Sequence, residues 1–171
     1  MPIYKQHKLA SSVWPYTLNI LLIVFLLTIN LAEAKEVIGT YEKVKIDRIG
    51  LIFKAKIDTG AKNSSLNSKN INIINRNGVT WVKFDVANND GKSATLERPL
   101  KRFVHIKRKK ADAQERPAVL LNICLGGVLK EVEVNLVNRD NFNFQMLIGR
   151  SFLHNNFIVD VSESYTSEPR C

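Results

Sequence analysis

A chain of 171 residues, 45% of them apolar, can build one domain with its own core and is short for two. Its net charge of +9 is partly local, as in Lys101-Arg102 and Lys107-Arg108-Lys109-Lys110. Such runs suit an anionic partner or a solvated loop; no aromatic platform is interleaved with them, so nucleic acid is not an expected partner and the loop reading is adopted.

Residues 1–34 read as a targeting segment. Lys5, His7 and Lys8 give a positive start, and Leu18 to Ala32 is an apolar run of 15 residues, short of the roughly 20 that a membrane-spanning helix needs. Ala32-Glu33-Ala34 carries small residues where a signal peptidase reads. Cleavage there leaves 137 residues, an exported domain over 35–162 and a polar tail over 163–171. An uncleaved anchor, with the domain outside the cytoplasm beside a membrane, is the alternative. Two cysteines are too few for a disulfide framework: Cys124 lies in an apolar run and reads as core, Cys171 ends the tail, and their pairing is left open.

Beyond residue 35 the hydrophobic period is two. Phe53, Ala55 and Ile57 alternate with lysines; Val82, Phe84 and Val86, then Val104 and Ile106, then Val132, Val134 and Leu136 repeat the pattern. Asn77-Gly78, Asn89-Asp90-Gly91 and Gly126-Gly127 fall between these runs, where turns of positive φ belong. Only Arg150 to Asn155 suggests a helical turn or two, followed by a strand over 157–161. The class is all-β, a small closed barrel or packed sheets, with one short helix after Gly149.

The strand over 53–57 runs into Asp58-Thr59-Gly60-Ala61. Asp and Gly are ordinary turn residues, so the tripeptide alone reads as a turn. A second segment, Met146-Leu147-Ile148-Gly149-Arg150, gives it another meaning. Together with KAKIDTGAKNSSL, WVKFDV, Glu115-Arg116-Pro117, the LGG turn and MLIGRSFL…FIVDVS, the pair resembles the retropepsin-like aspartic peptidases. The resemblance spans about Glu36 to Ser162 and points to a bacterial branch also labelled ATP-dependent zinc proteases, or associates of ATP-grasp ligases.

The resemblance implies peptide hydrolysis by two carboxylates sharing one proton, one as base and one as acid. Asp58 would be the catalytic residue, with Thr59, Gly60, Ala61, Leu147, Ile148, Gly149 and Arg150 supporting it. The chain carries a single D-[ST]-G, so a working site needs a second copy of Asp58, hence a homodimer, with a polypeptide as substrate. Viral relatives carry an aspartate where this chain has Lys62, which leaves Arg150 to find another partner. Val86 to Thr95 is the candidate flap. No cofactor is expected: there is no H-E-x-x-H, His105 and His154 stand apart, and no phosphate loop is present, so any tie to ATP would run through an ATP-grasp ligase partner. The alternative function is a non-catalytic module that keeps the peptidase fold to bind peptides or a partner.

Overall fold

The computed structural model describes residues 34–106 and 114–171, together with Pro2. Apart from Pro2 and Ala34, the segment 1–34 for which a targeting role is expected, and the basic run Lys107 to Lys110, lie outside the described residues. Lys35 to Cys171 is one compact unit. Its described residues form β1 (Glu36–Ile38), β2 (Tyr41–Ile46), β3 (Leu51–Ile57), β4 (Ser64–Asn67), β5 (Lys69–Arg76), β6 (Val79–Ala87), β7 (Ser93–Ile106), β8 (Gln114–Leu125), β9 (Val128–Val137), β10 (Met146–Ile148), α1 (Arg150–Leu153) and β11 (Phe157–Val159).

Six strands close on themselves in the order β2-β3-β10-β4-β9-β8, and β8 returns to β2 through Lys45 opposite Cys124 and Ile46 opposite Ile123. The alternation read from the sequence fills this barrel. On β3, Leu51, Phe53, Ala55 and Ile57 point inward while Ile52, Lys54 and Lys56 point out. Val44, Leu66, Leu121, Val134, Leu136, Met146 and Ile148 meet them in one core. The all-β class and the short helix after Gly149 are as expected.

β7 serves two partners. Its first half pairs with β6 and its second with β8, with a register shift between Leu100 and Arg102 where the strand changes partner. At the β5–β6 turn Asn77 and Gly78 have φ of 51° and 79°, the positive pair that a two-residue hairpin requires.

The segment 163–171 does not hang free as a tail; it packs onto the barrel. Thr40 N donates to Glu163 O (2.9 Å) and Tyr165 N to Tyr41 O (2.6 Å). Close approach is possible because residue 39 is glycine: a Cβ there would lie 2.5 Å from Glu163 O. Glu42 is fully buried, and its carboxylate accepts from Gly39 N, from the amide and hydroxyl of Thr166, and from the amide and hydroxyl of Ser167. Burial pushes the Glu42 carboxyl up, but the bonds from Thr166, Gly39 and Ser167 together outweigh it and hold it below its ordinary value. Cys171 then closes a disulfide to Cys124. The polar residues of this segment serve a buried carboxylate instead of water, which composition does not reveal.

Candidate active site

Asp58 follows the last residue of β3. β10 threads between β3, which it meets in parallel, and β4, which it meets antiparallel, so Leu147 stands opposite both Lys56 and Ser65. Asp58 N donates to Ile148 O (2.9 Å). The half-buried carboxylate is fixed through Oδ1, which accepts from Gly60 N at 2.9 Å and Ala61 N at 3.1 Å. This is a turn in which the side chain, not only the backbone, is oriented.

The loop is pinned from the other side by Gly149 and α1. Gly149 N donates to Ser64 Oγ (3.2 Å), Arg150 N to Ala61 O and Ser151 N to Lys62 O (both 2.9 Å). A Cβ on Gly149 would lie 2.6 Å from the Asn63 carbonyl, so only glycine lets these backbones cross. Arg150 finds its partners in the loop itself: Nη1 donates to Thr59 O (2.8 Å) and Gly60 O (2.7 Å). Lys62 is exposed, and its replacement of an acidic residue is met by guanidinium-to-carbonyl bonds. The residues singled out from the sequence therefore converge. Thr59 and Gly60 are exposed, Ala61 and Leu147 partly buried, and Ile148 and Gly149 buried.

Other residues at the site were not anticipated. Arg139, buried, donates from Nη1 to Ser65 Oγ (3.0 Å) and from Nε to Phe144 O (3.1 Å), and its guanidinium lies 4.5 Å from the Phe142 ring centre. Burial and the nearby Arg116 push this guanidinium down from its ordinary value while Asp58 pulls it up, so two cations and the Asp58 carboxylate share one electrostatic neighbourhood. Phe144 stacks on Tyr41 with ring centres 4.6 Å apart. Glu133 accepts from Arg102 and, at 2.7 Å, from Asn63 Nδ2, joining β7 and β9 to the loop. Arg139 follows a buried strand end in a polar loop, where sequence offers no sign of burial.

The flap expected over Val86 to Thr95 is corrected. Its turn is tied to the earlier half of β3, with Asn88 Nδ2 on Ile52 O (3.0 Å) and Lys54 N on Asn89 Oδ1 (3.3 Å). The arms that reach the site are those of β7 and β8, which carry Arg102 and Arg116. Among the described residues no three His, Cys, Asp or Glu side chains converge as metal ligands, and His105 faces Glu115 at 3.1 Å across β7 and β8.

An Asp-Thr-Gly loop at the end of a barrel strand, with an aliphatic-aliphatic-Gly strand end threaded against it, defines a retropepsin-like fold. The chain belongs to the RimB-like family: residues 37–170 match the family described as retropepsin-like aspartic endopeptidase RimB. A probable alpha-L-glutamate ligase of Shewanella pealeana is 32% identical over 139 residues, 79% of this chain and 30% of the ligase. One from Desulfotalea psychrophila is 31% identical over 131 residues, 74% of this chain and 28% of that protein. The chain thus spans less than a third of the length of these relatives. The crystal structure of a Legionella pneumophila protein of unknown function superposes with a TM-score of 0.69 at 33% identity, over 79% of this chain and all of that one.

Proposed function

We propose that this protein is an aspartic endopeptidase in which Asp58 from each of two chains forms the catalytic pair. The observation that carries the reading is the Asp58 carboxylate, oriented by two backbone amides within a loop held by β10, α1 and Arg150. With one proton between two such groups, the ionised carboxylate takes a proton from water as its oxygen attacks the peptide carbonyl carbon. The protonated one gives its proton to the carbonyl oxygen. Collapse of the tetrahedral adduct, with proton return to the nitrogen, breaks the C–N bond.

The pairing surface is the Asp-Thr-Gly side. Thr59 shares a hollow with Lys35, Arg150 and Val159, next to the β1–β11 ribbon, on which Val37 and Ile158 stand opposite each other, 55% and 53% exposed. Because segment 163–171 is bonded to its own barrel, this dimer would form by apposition of loops and ribbons, without exchange of C-terminal strands. The disulfide fits an oxidising compartment, which supports an exported or membrane-anchored domain. Relatives named as glutamate ligases make a glutamate-rich peptide the substrate to try first, and the cations Arg116 and Arg139 suit it; an ATP-grasp ligase is the partner to test.

Light scattering combined with peptide cleavage tests the proposal. The active species has twice the chain mass, and its rate is bell-shaped in pH, with limbs belonging to the pair of carboxylates. A monomer that cleaves peptides overturns it. A monomer that binds peptides without cleaving them leaves the second reading, a binding module, which the self-bonded C-terminal segment favours.

A further inference from the structure

On β9, Asn135 stands opposite Ser65 of β4 and Ala118 of β8; Ser65 in turn stands opposite Leu147, and Leu147 opposite Lys56. Residues opposite one another share a face of the sheet, so Lys56, Leu147, Ser65, Asn135 and Ala118 form one row on the side away from the core. Asp58 follows the end of β3 two residues beyond Lys56, and Arg139, which donates to Ser65 of this row, lies within its electrostatic reach. Asn135 is only 7% exposed, and its Oδ1 has no hydrogen-bond partner among the described residues. An unpaired buried carbonyl oxygen of this kind costs about 1–3 kcal/mol.

The neighbouring polar groups are satisfied. Ser65 Oγ accepts from Arg139, and Asn67 accepts from Arg139 N while donating to Asp140 and Gln145. An aliphatic residue would suit the middle of a buried strand better than this carboxamide does. Within this row the deficit falls at Asn135 alone (the other unpaired buried oxygen, Ser151 Oγ, lies on α1), and Ser65 opposite it is bonded to a buried guanidinium whose Nε and Nη1 bonds leave further N–H donors.

We propose that Asn135 is a specificity-determining residue: with Ser65 and Arg139 it floors a subsite for a substrate side chain ending in a planar, oxygen-bearing group, a carboxamide or a carboxylate. The proposal rests on the peptidase reading above. A carboxamide donates its N–H to Asn135 Oδ1 and accepts from Arg139. A carboxylate accepts from Arg139 and, with the Asn135 amide turned over, from Nδ2. An aliphatic side chain leaves both protein groups unpaired, and sites built for hydrogen bonds reject such analogues strongly.

The test uses the whole protein and peptides varied one position at a time among Gln, Glu, Leu and Val. Wild type favours Gln or Glu over Leu about 100-fold at one position, and the Gln-to-Glu ratio tells which group is preferred. Asn135→Leu abolishes or reverses that preference while its thermal midpoint holds or rises, since the unpaired oxygen is gone. If Asn135→Leu does not fold, Asn135→Ser, too short to reach the substrate, is expected to lose the preference too. Preference unchanged in a folded variant, or a uniform loss on all peptides with a lower midpoint, overturns the proposal. If wild type cleaves nothing, the same peptides are tested for binding. Binding whose preference Asn135→Leu removes keeps the subsite and discards the peptidase; no binding overturns both.

Discussion

Glu42 and Asp58 are near neighbours with opposite surroundings. Glu42 stands opposite Ala55, three residues before Asp58, but it is buried inside the barrel, whereas Asp58, just past the end of β3, is half-exposed. Five donors converge on the Glu42 carboxylate, and no solvent reaches it. The Asp58 carboxylate is held by two amides on one oxygen and is half-exposed. A carboxylate with all its capacity used is a structural clamp. One oriented through a single oxygen keeps the other for chemistry.

Changing each carboxylate to its amide separates the two roles. Asp58→Asn removes both the base and the shared proton, so turnover falls by at least about 10,000-fold, roughly 5.5 kcal/mol of transition-state stabilisation. Its thermal midpoint changes by no more than a few degrees, because an amide oxygen still accepts from Gly60 and Ala61. Chelators leave the wild-type rate unchanged. Full activity in Asp58→Asn, or loss of it with EDTA, assigns the chemistry to another group.

The C-terminal clamp gives the reverse pattern. The Cys124–Cys171 bridge spans 47 residues, for which the chain-entropy model gives about 4 kcal/mol. Reduction, or a Cys171→Ser change, therefore lowers the midpoint by on the order of 10 °C. Glu42→Gln sets an N–H₂ against donors that need acceptors and costs about 3 kcal/mol. The pH sign follows from the lowered Glu42 value. Its contribution is complete above the usual 4.5 and is lost as pH falls through the lower folded value. Midpoints measured across acid pH should fall for the wild type and fall less for Glu42→Gln. Equal slopes would remove Glu42 as the acid-labile clamp.

The sequence showed the site's backbone and hid its electrostatics. Alternation over 53–57 and 132–136, the Asn77-Gly78 turn and the paired Asp-Thr-Gly and Leu-Ile-Gly-Arg segments are local signals, carried by spacing alone. Arg139, Asn135 and Thr166 are polar residues whose meaning depends on partners 70 or more positions away, such as Ser65 for Arg139 and Glu42 for Thr166. Read singly, they look solvated. Asn-Asn-Asp-Gly within Val86–Thr95 is a strong local turn signal, whereas the 14 residues of β7 are broken up by the charges of Lys101, Arg102 and His105. Those charges mark the solvent-facing side of a strand that changes partner, a role with no local period.

Arg150 tests how far orientation of Asp58, apart from the carboxylate itself, matters. Its guanidinium is exposed, so when Arg150→Ala removes it water can take over both carbonyls, and the midpoint should move by only a few degrees. The backbone bonds from residues 150 and 151 to Ala61 and Lys62 remain, holding the far half of the loop. The near half, Thr59 and Gly60, loses its two restraints, and Gly60 N is one of the two amides that orient Asp58. Small displacements of a reacting group are costly, up to about 100-fold for 1 Å. The expected result is a fall of about tenfold in kcat with KM nearly unchanged. The shape of the pH profile should persist, because no member of the pair has been replaced. An unchanged kcat would make Arg150 a surface contact, and a stability loss as large as that of Glu42→Gln would make it part of the clamp; either result would break the contrast between a carboxylate that is locked and one that is aimed.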